Sequence, residues 1–162
     1  MSLTKVEIGN IYIDQKSGVP VLILKDLATN DTLPILIAPL EASLIAIELE
    51  GKKPLRPLTH DLIVNILSEL SYNVDSIEVY DLKDNIYYAK INLVDGEKMI
   101  KIDSRPSDAI ALALRTRSPI YVEKKLFAMY MGLGKAAKDV DKDTLKEFLE
   151  NIDIEDAGGK IM

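Results

Sequence analysis

The stretch Met99–Val122 constrains the fold most, because it places an entirely apolar helix directly after a group of polar side chains. A short strand, residues 98–102, leads into the sequence Asp-Ser-Arg-Pro-Ser-Asp. Residues 109–114 are then apolar on every side, which predicts a buried rather than an amphipathic helix. Pro119 ends this helix, and residues 120–122 return as a strand. Two acids, an arginine and two hydroxyls are thereby held at the edge of a core, where charge needs partners and function is often found.

The composition predicts one soluble domain with a substantial core. The chain has 162 residues, of which 48% are hydrophobic and 28% charged. No apolar run approaches the ~20 residues of a membrane-spanning helix, and the amino terminus lacks a signal-peptide pattern. Cysteine is absent, which excludes disulfides, thiolate metal sites and a cysteine nucleophile. We therefore expect a cytoplasmic protein.

The net charge of −6 is concentrated near the carboxyl terminus. Residues 139–156 contain eight acids and two lysines, so the rest of the chain is neutral. A neutral body is no broad electrostatic surface for nucleic acid, and any nucleic-acid contact must be local. Basic residues gather in two groups, which also fit ordinary solvated surface: Lys52, Lys53 and Arg56 in one, and Arg115, Arg117, Lys124 and Lys125 in the other.

Strand and helix patterns alternate along the chain and predict an α+β fold, with mixed or antiparallel sheets packed on helices. The predicted strands are residues 5–14, 19–26, 33–38, 74–82, 86–94, 98–102 and 120–122, and the predicted helices are residues 39–50, 60–70, 109–114, 123–131 and 141–152. A change of apolar parity in the first strand predicts a bulge near Gly9 and Asn10. The second helix is expected to turn one apolar stripe inward: Leu62, Ile63, Ile66, Leu67 and Leu70.

The two halves of the chain resemble each other at an offset of 67 residues. Pro39 matches Pro106, Glu41 matches Asp108 in charge, and three predicted strands precede each proline. This pattern predicts an internal repeat of strand-strand-strand-helix with two comparable helix amino ends. A proline followed by an acid is also a common helix start, so the match has a local explanation as well.

The polar side chains around Pro106 are candidates for metal and phosphate binding. Asp103 and Asp108 present carboxylate oxygens that suit Mg²⁺ or Mn²⁺, and Arg105 suits bidentate binding of phosphate. Asp108 competes with phosphate for the positive helix end and Pro106 lacks an N–H, which favours phosphate held through a metal. The same residues also fit a structural capping network, in which Arg105 pairs with an acid and Asp108 offsets the helix dipole.

His60 is the only histidine, so an imidazole base must be this residue. We expect it at the exposed first turn of its helix, where it is either a proton carrier or an ordinary solvated side chain. One histidine, no cysteine and no G-x-S-x-G sequence argue against triad hydrolases and multi-histidine zinc enzymes, and no glycine-rich phosphate loop is present. For an enzyme, phosphoryl chemistry assisted by a metal on carboxylates is what remains.

Two segments resemble the bifunctional nuclease family. One is Ile102–Arg115, which reads I-D-S-R-P-S-D-A-I-A-L-A-L-R and is followed by Pro119–Val122; the other is Arg56–Leu62, R-P-L-T-H-D-L. Ser104 stands where many relatives have alanine. The resemblance covers about residues 3–130, so we divide the chain into a bifunctional-nuclease-like domain, 1–133, and an acidic helix and tail, 134–162. It implies DNase and RNase activity and an α+β fold that self-associates.

The resulting hypothesis is a cytoplasmic nuclease of DNA and RNA, a homodimer or larger. Asp103 and Asp108, with Glu41 as an additional ligand, hold Mg²⁺ or Mn²⁺ in this hypothesis. Arg105 stabilises charge on the phosphoryl oxygens and His60 handles a proton. The rival hypothesis is a non-enzymatic oligomeric module for binding or assembly, in which the Asp/Arg group is only a cap.

Overall fold

Two antiparallel meanders supply six of the seven strands in the part of the chain that the computed structural model describes, residues 2–132. The first meander is β1 (Leu3–Ile13), β2 (Pro20–Asp26) and β3 (Thr32–Leu36); the second is β4 (Asn73–Lys83), β5 (Ile86–Val94) and β6 (Met99–Ser104). β7 (Ile120–Glu123) lies between them, antiparallel to β1 and parallel to β4. The result is one mixed sheet in the order β3-β2-β1-β7-β4-β5-β6.

Four helices in the described residues accompany this sheet and confirm the predicted α+β class: α1 (Pro39–Leu49), α2 (Thr59–Glu69), α3 (Pro106–Thr116) and α4 (Lys124–Gly132). α3 is central, because it packs against α1, α2, β4 and β5. The residues from Ala109 to Ala113 are all buried, as the apolar run predicts. Pro106 occupies the first helical turn, and Arg117 ends the helix in the left-handed conformation, with φ of 55°.

The predicted internal repeat is present as two strand-strand-strand-helix units. α1 directly follows the first meander and α3 directly follows the second, and each helix begins at its matched proline. The units lie on either side of β7, and their helices pack against each other. The amino ends of α1 and α3 therefore start from comparable positions in the two halves of the fold.

The first strand contains the predicted bulge. The register of β1 against β2 shifts between Ile8 and Asn10. Val6, before the shift, and Ile11, after it, are consequently both buried, although their positions differ in parity.

The predicted inner stripe of α2 is wrong for three of its five residues. Ile63 and Leu67 pack against the core, but Leu62, Ile66 and Leu70 are half-exposed or more. α2 packs mainly on one neighbour, α3, so it buries only a narrow part of its apolar surface.

The predicted helix 141–152 and the whole acidic segment 134–162 lie outside the described residues, which end at residue 132. Among the described residues, each helix is too short or too polar to cross a membrane.

Candidate active site

The amino ends of α1 and α3 meet through Arg105. This residue directly precedes α3, and its Nη1 lies 2.7 Å from Oε1 of Glu41 in the first turn of α1. Its Nε lies 2.8 Å from Oδ2 of Asp108 in the first turn of α3. Glu41 and Asp108 are the matched acids of the two repeat units, so the repeat brings both carboxylates to one guanidinium.

His60 joins this cluster from α2. Its Nε2 lies 2.9 Å from Oδ1 of Asp108, so Asp108 is held by His60 on one oxygen and by Arg105 on the other. The expected exposure of His60 is wrong: α2 packs against α3, and the imidazole is buried with 6% of its side chain exposed. Its Nδ1 is buried without a hydrogen-bond partner among the described residues.

The electrostatics of the cluster keep Asp108 charged. Burial acts to raise the pKa of this carboxyl, but hydrogen bonds from Arg105 and His60 outweigh burial and hold the pKa below its ordinary value. The same hydrogen bond to Asp108 raises the pKa of Arg105. Access to solvent differs across the cluster: 65% of the Arg105 side chain is exposed, against 30% for Asp108. The charged guanidinium therefore faces solvent while the histidine lies behind the carboxylate.

Asp103 does not join the cluster. Asp103 follows Ile102 in β6, so their side chains point to opposite faces of the sheet. Ile102 pairs in register with Ile91, which belongs to the core beneath the helices. Asp103 pairs in register with Lys90 and lies on the opposite face of the sheet, where it is exposed. Sequence proximity to Arg105 is misleading here because successive side chains of a strand point to opposite faces.

The three acids of the predicted metal site consequently do not lie together. Glu41 and Asp108 both reach Arg105, whereas Asp103 is on the far side of the sheet. Within residues 2–132, histidine and acidic side chains form no group of three or more that is arranged to hold a metal ion. The predicted set does not fit as one three-carboxylate centre.

A cleft of about 760 Å³ opens beside the cluster. Glu41 and Arg105 line it together with three tyrosines, Tyr12, Tyr87 and Tyr130. Burial, followed by the nearby Tyr130, raises the pKa of Tyr12 and of Tyr87, so both phenols remain neutral hydrogen-bond donors. The lining comes from both meanders and three helices, and no local pattern in the sequence indicates such a cleft.

This arrangement places an exposed guanidinium, the Glu41 carboxylate and three tyrosines along one cleft, with Asp108 hydrogen-bonded to that guanidinium. A guanidinium recognises phosphate oxygens, a carboxylate within hydrogen-bond reach of water accepts a proton, and aromatic rings stack with nucleobases. A cleft with these groups is suited to phosphodiester chemistry on a nucleic acid.

The comparisons with known proteins agree with the resemblance of the two motifs. The bifunctional nuclease domain family matches residues 22–131. An uncharacterized protein of Mycobacterium tuberculosis is 34% identical over 94% of this chain and 96% of its own length.

Relatives in plants carry the nuclease name. Bifunctional nuclease 2 of Arabidopsis thaliana is 28% identical over 73% of this chain, and bifunctional nuclease 1 of the same plant is 27% identical over 66%. The matched region spans only 36% and 34% of those two proteins. With a family match that covers more than half of its residues, this chain belongs to the bifunctional nuclease domain family.

Proposed function

We propose that the protein is a nuclease that hydrolyses phosphodiester bonds of DNA and RNA. The observation that carries the proposal is the hydrogen-bonded cluster of Glu41, Arg105, Asp108 and His60 beside the tyrosine-lined cleft. The two motifs of the family supply three of these four residues. The plant relatives named as bifunctional nucleases support the same activity.

Arg105 binds the scissile phosphate in this proposal. Its Nε and one Nη1 hydrogen are used by Asp108 and Glu41, while a guanidinium has five N–H donors. The two acids hold the guanidinium plane in place, so its remaining donors face the opening with little freedom. They stabilise the negative charge that builds on the non-bridging oxygens as water attacks phosphorus.

Asp108 and His60 handle the proton. The oxygen of a water molecule attacks phosphorus, and its proton passes to the Asp108 carboxylate. The P–O bond to the leaving nucleoside oxygen breaks, that oxygen takes a proton from solvent, and Asp108 then releases its proton to solvent. His60 donates from Nε2 to Asp108 and keeps the carboxylate in place beside Arg105. Since the imidazole is buried, we assign His60 to proton sharing with Asp108 rather than to direct contact with substrate.

Metal assistance by Mg²⁺ or Mn²⁺ is a separate part of the proposal, and it rests on Glu41 and Asp108 alone. Their carboxylates approach one point from two helices, and a cation bound there takes the place of their contacts with Arg105, so this part is an alternative to the arrangement in which the two acids orient the guanidinium. A bound divalent ion supplies charge neutralisation at the phosphate and a more acidic water. We expect cleavage to stop in EDTA and to return with Mn²⁺. Full cleavage in excess EDTA would contradict metal assistance and leave the roles of Arg105 and Asp108 intact.

The proposed function is tested on Asp108→Asn, with Asp103→Asn as the matched control. We expect Asp108→Asn to remain folded and to lose cleavage of labelled DNA and RNA, because the amide accepts no proton. Asp103→Asn removes an equal charge on the other face of the sheet and should keep cleavage. If Asp108→Asn cleaves nucleic acid as well as the wild type does, the assignment of Asp108 as the proton acceptor is wrong. If the wild-type protein leaves nucleic acid intact, the rival hypothesis of a non-enzymatic assembly module is favoured. If both variants lose cleavage to the same extent, Asp103 regains the role predicted for it from the sequence.

A cytoplasmic homodimer completes the proposal, and the edge strand β6 is its interface. Met99, Ile100 and Ile102 are exposed on this strand, and its outer edge is unpaired among the described residues. Antiparallel pairing of two β6 strands about Ile102 places Lys101 of each copy opposite Asp103 of the other. This charge match favours a second copy of the chain as the partner.

A further inference from the structure

A second pocket, of about 450 Å³, collects basic residues that are distant in the sequence. Lys52, Lys53 and Arg56 come from the segment between α1 and α2, and Arg115 comes from the last turn of α3. Two acids, Glu48 and Asp61, also line the pocket, so positive charge is in excess. Residues from both basic groups of the sequence therefore line one pocket.

Arg115 is the buried element of this pocket. Only 4% of its side chain is exposed. Nε donates to Oδ1 of Asp61 at 2.8 Å, and Nη1 donates to the carbonyl oxygen of Ala111 at 3.0 Å. Nη2 is buried and has no hydrogen-bond partner among the described residues. A charged donor left unpaired in a protein interior is costly, and an acceptor oxygen entering the pocket removes that cost.

Glu48 and Asp61 line the pocket and Glu50 pairs with Lys52 at 2.9 Å, so these three acids leave one of the four positive charges in excess. Asp61 already accepts hydrogen bonds from Arg115 on Oδ1 and from the Leu58 backbone N–H, at 2.9 Å, on Oδ2. In the described part of the chain, the exposed Lys53 and Arg56 form no hydrogen bond or ion pair of their own. Two exposed cations without a partner and a guanidinium that has one unpaired nitrogen thus line the same pocket, which suits an anion.

The pocket lies close to the candidate active site along α2 and α3. His60 and Asp61 are adjacent in α2, and they bind Asp108 and Arg115, respectively, on α3. Arg115 lies seven positions after Asp108 in α3, which corresponds to about 10 Å at ~1.5 Å per residue. Successive phosphates of one strand of duplex DNA rise by ~3.4 Å, so this distance spans a few nucleotides.

We propose that the pocket of Lys53, Arg56 and Arg115 binds a second backbone phosphate of the nucleic-acid strand, flanking the phosphodiester to be cleaved. The identity of the ligand as nucleic acid rests on the proposed nuclease function, whereas the binding of an anion rests on the pocket itself. Arg115 supplies the buried donor, and Lys53 and Arg56 close over the phosphate from the exposed side. The pocket selects for a strand that continues past the scissile bond.

The test compares two double variants that remove equal charge. Lys53→Ala with Arg56→Ala empties the exposed side of the pocket without touching the buried Arg115–Asp61 pair. Lys16→Ala with Lys98→Ala removes two lysines from exposed turns elsewhere. Binding of a fluorescent, phosphorothioate-linked single strand is measured by anisotropy over a range of salt, since these linkages keep their charge and resist cleavage. We expect the pocket variant to bind several-fold more weakly, with a salt slope smaller by about 1.4, and the control to bind like wild type.

A second measurement separates this inference from the proposed function. Inorganic phosphate, compared with chloride at equal ionic strength, should raise the melting temperature of the wild type more than that of the pocket variant. Equal effects in the two double variants, or unchanged binding by the pocket variant, would overturn the inference even if the protein cleaves nucleic acid. Weaker binding by the pocket variant in a protein that cleaves nothing would uphold the phosphate pocket and refute the nuclease proposal.

Discussion

Asp108 is the residue on which the candidate site depends most. Its two oxygens bind residues from different parts of the chain, His60 of α2 and Arg105 at the start of α3. The carboxylate is partly buried, so its charge is stabilised by these donors rather than by water alone. A single side chain thus joins the second helix to Arg105 at the cleft, and its protonation state affects the stability of the fold.

The lowered pKa of Asp108 predicts a pH-dependent contribution to stability. The folded protein binds this proton less readily than the unfolded chain, so the contribution is complete above the ordinary carboxyl pKa and is lost as pH falls through the lowered folded value. We expect Asp108→Asn to lower the free energy of unfolding by roughly 1 kcal/mol at neutral pH and by less in acid. Urea unfolding of both proteins at neutral and acidic pH measures the difference.

The free energy of unfolding of Asp108→Asn must be subtracted from that of the wild type at each pH, because other carboxyls, including Asp26 and Glu78, also have lowered pKa values. Their contribution cancels between the two proteins. A difference that grows as the pH falls would show that Asp108 is stabilised in its protonated form, contrary to the hydrogen bonds described above.

At the scale of elements, α3 and α2 show how differently two apolar helices are used. α3 is surrounded by other elements and buries nearly every apolar residue, whereas α2 leaves one side open. The open side of α2 is available to a partner or to solvent, and the closed surroundings of α3 make it the stable support of Asp108.

Matched isoleucine truncations test this difference. Ile110 in α3 is fully buried and Ile66 in α2 is half-exposed. We expect Ile110→Ala to cost about 2–5 kcal/mol, because it leaves a cavity, and Ile66→Ala to cost below ~1 kcal/mol. Chemical denaturation gives both values. An equally large loss at Ile66 would mean that a second chain covers that side of α2.

At the scale of the whole molecule, the internal repeat explains why the site exists at all. The two meanders lie on either side of β7, and their following helices pack together at comparable positions. Acids placed identically in the two units, Glu41 and Asp108, therefore converge on Arg105. The copies then differ at the cluster, since only the second has arginine before the proline, where the first has Ala38.

The proposed dimer is tested by exchanging charge on β6. Lys101→Asp places two acids opposite each other across the expected two-fold axis and should shift sedimentation toward the mass of a single chain. Adding Asp103→Lys restores opposite charges and should restore the dimer. Lys5→Asp, an exposed site on β1, is the matched control. A wild type that sediments as one chain, or a Lys101→Asp protein that still dimerises, would rule out pairing through this edge.

The local pattern of the chain determined its elements, and the tertiary structure decided which side chains meet. Alternation, turns, the proline-headed helices and the bulge near Gly9 were predictable because they depend on neighbouring residues and on the period of strand or helix. The burial of His60, the separation of Asp103 from Asp108, the half-open α2 and the meeting of Arg56 with Arg115 in one pocket were not predictable. Each depends on which face of one element packs against another, and packing between elements distant in the chain leaves no periodic signal in the sequence.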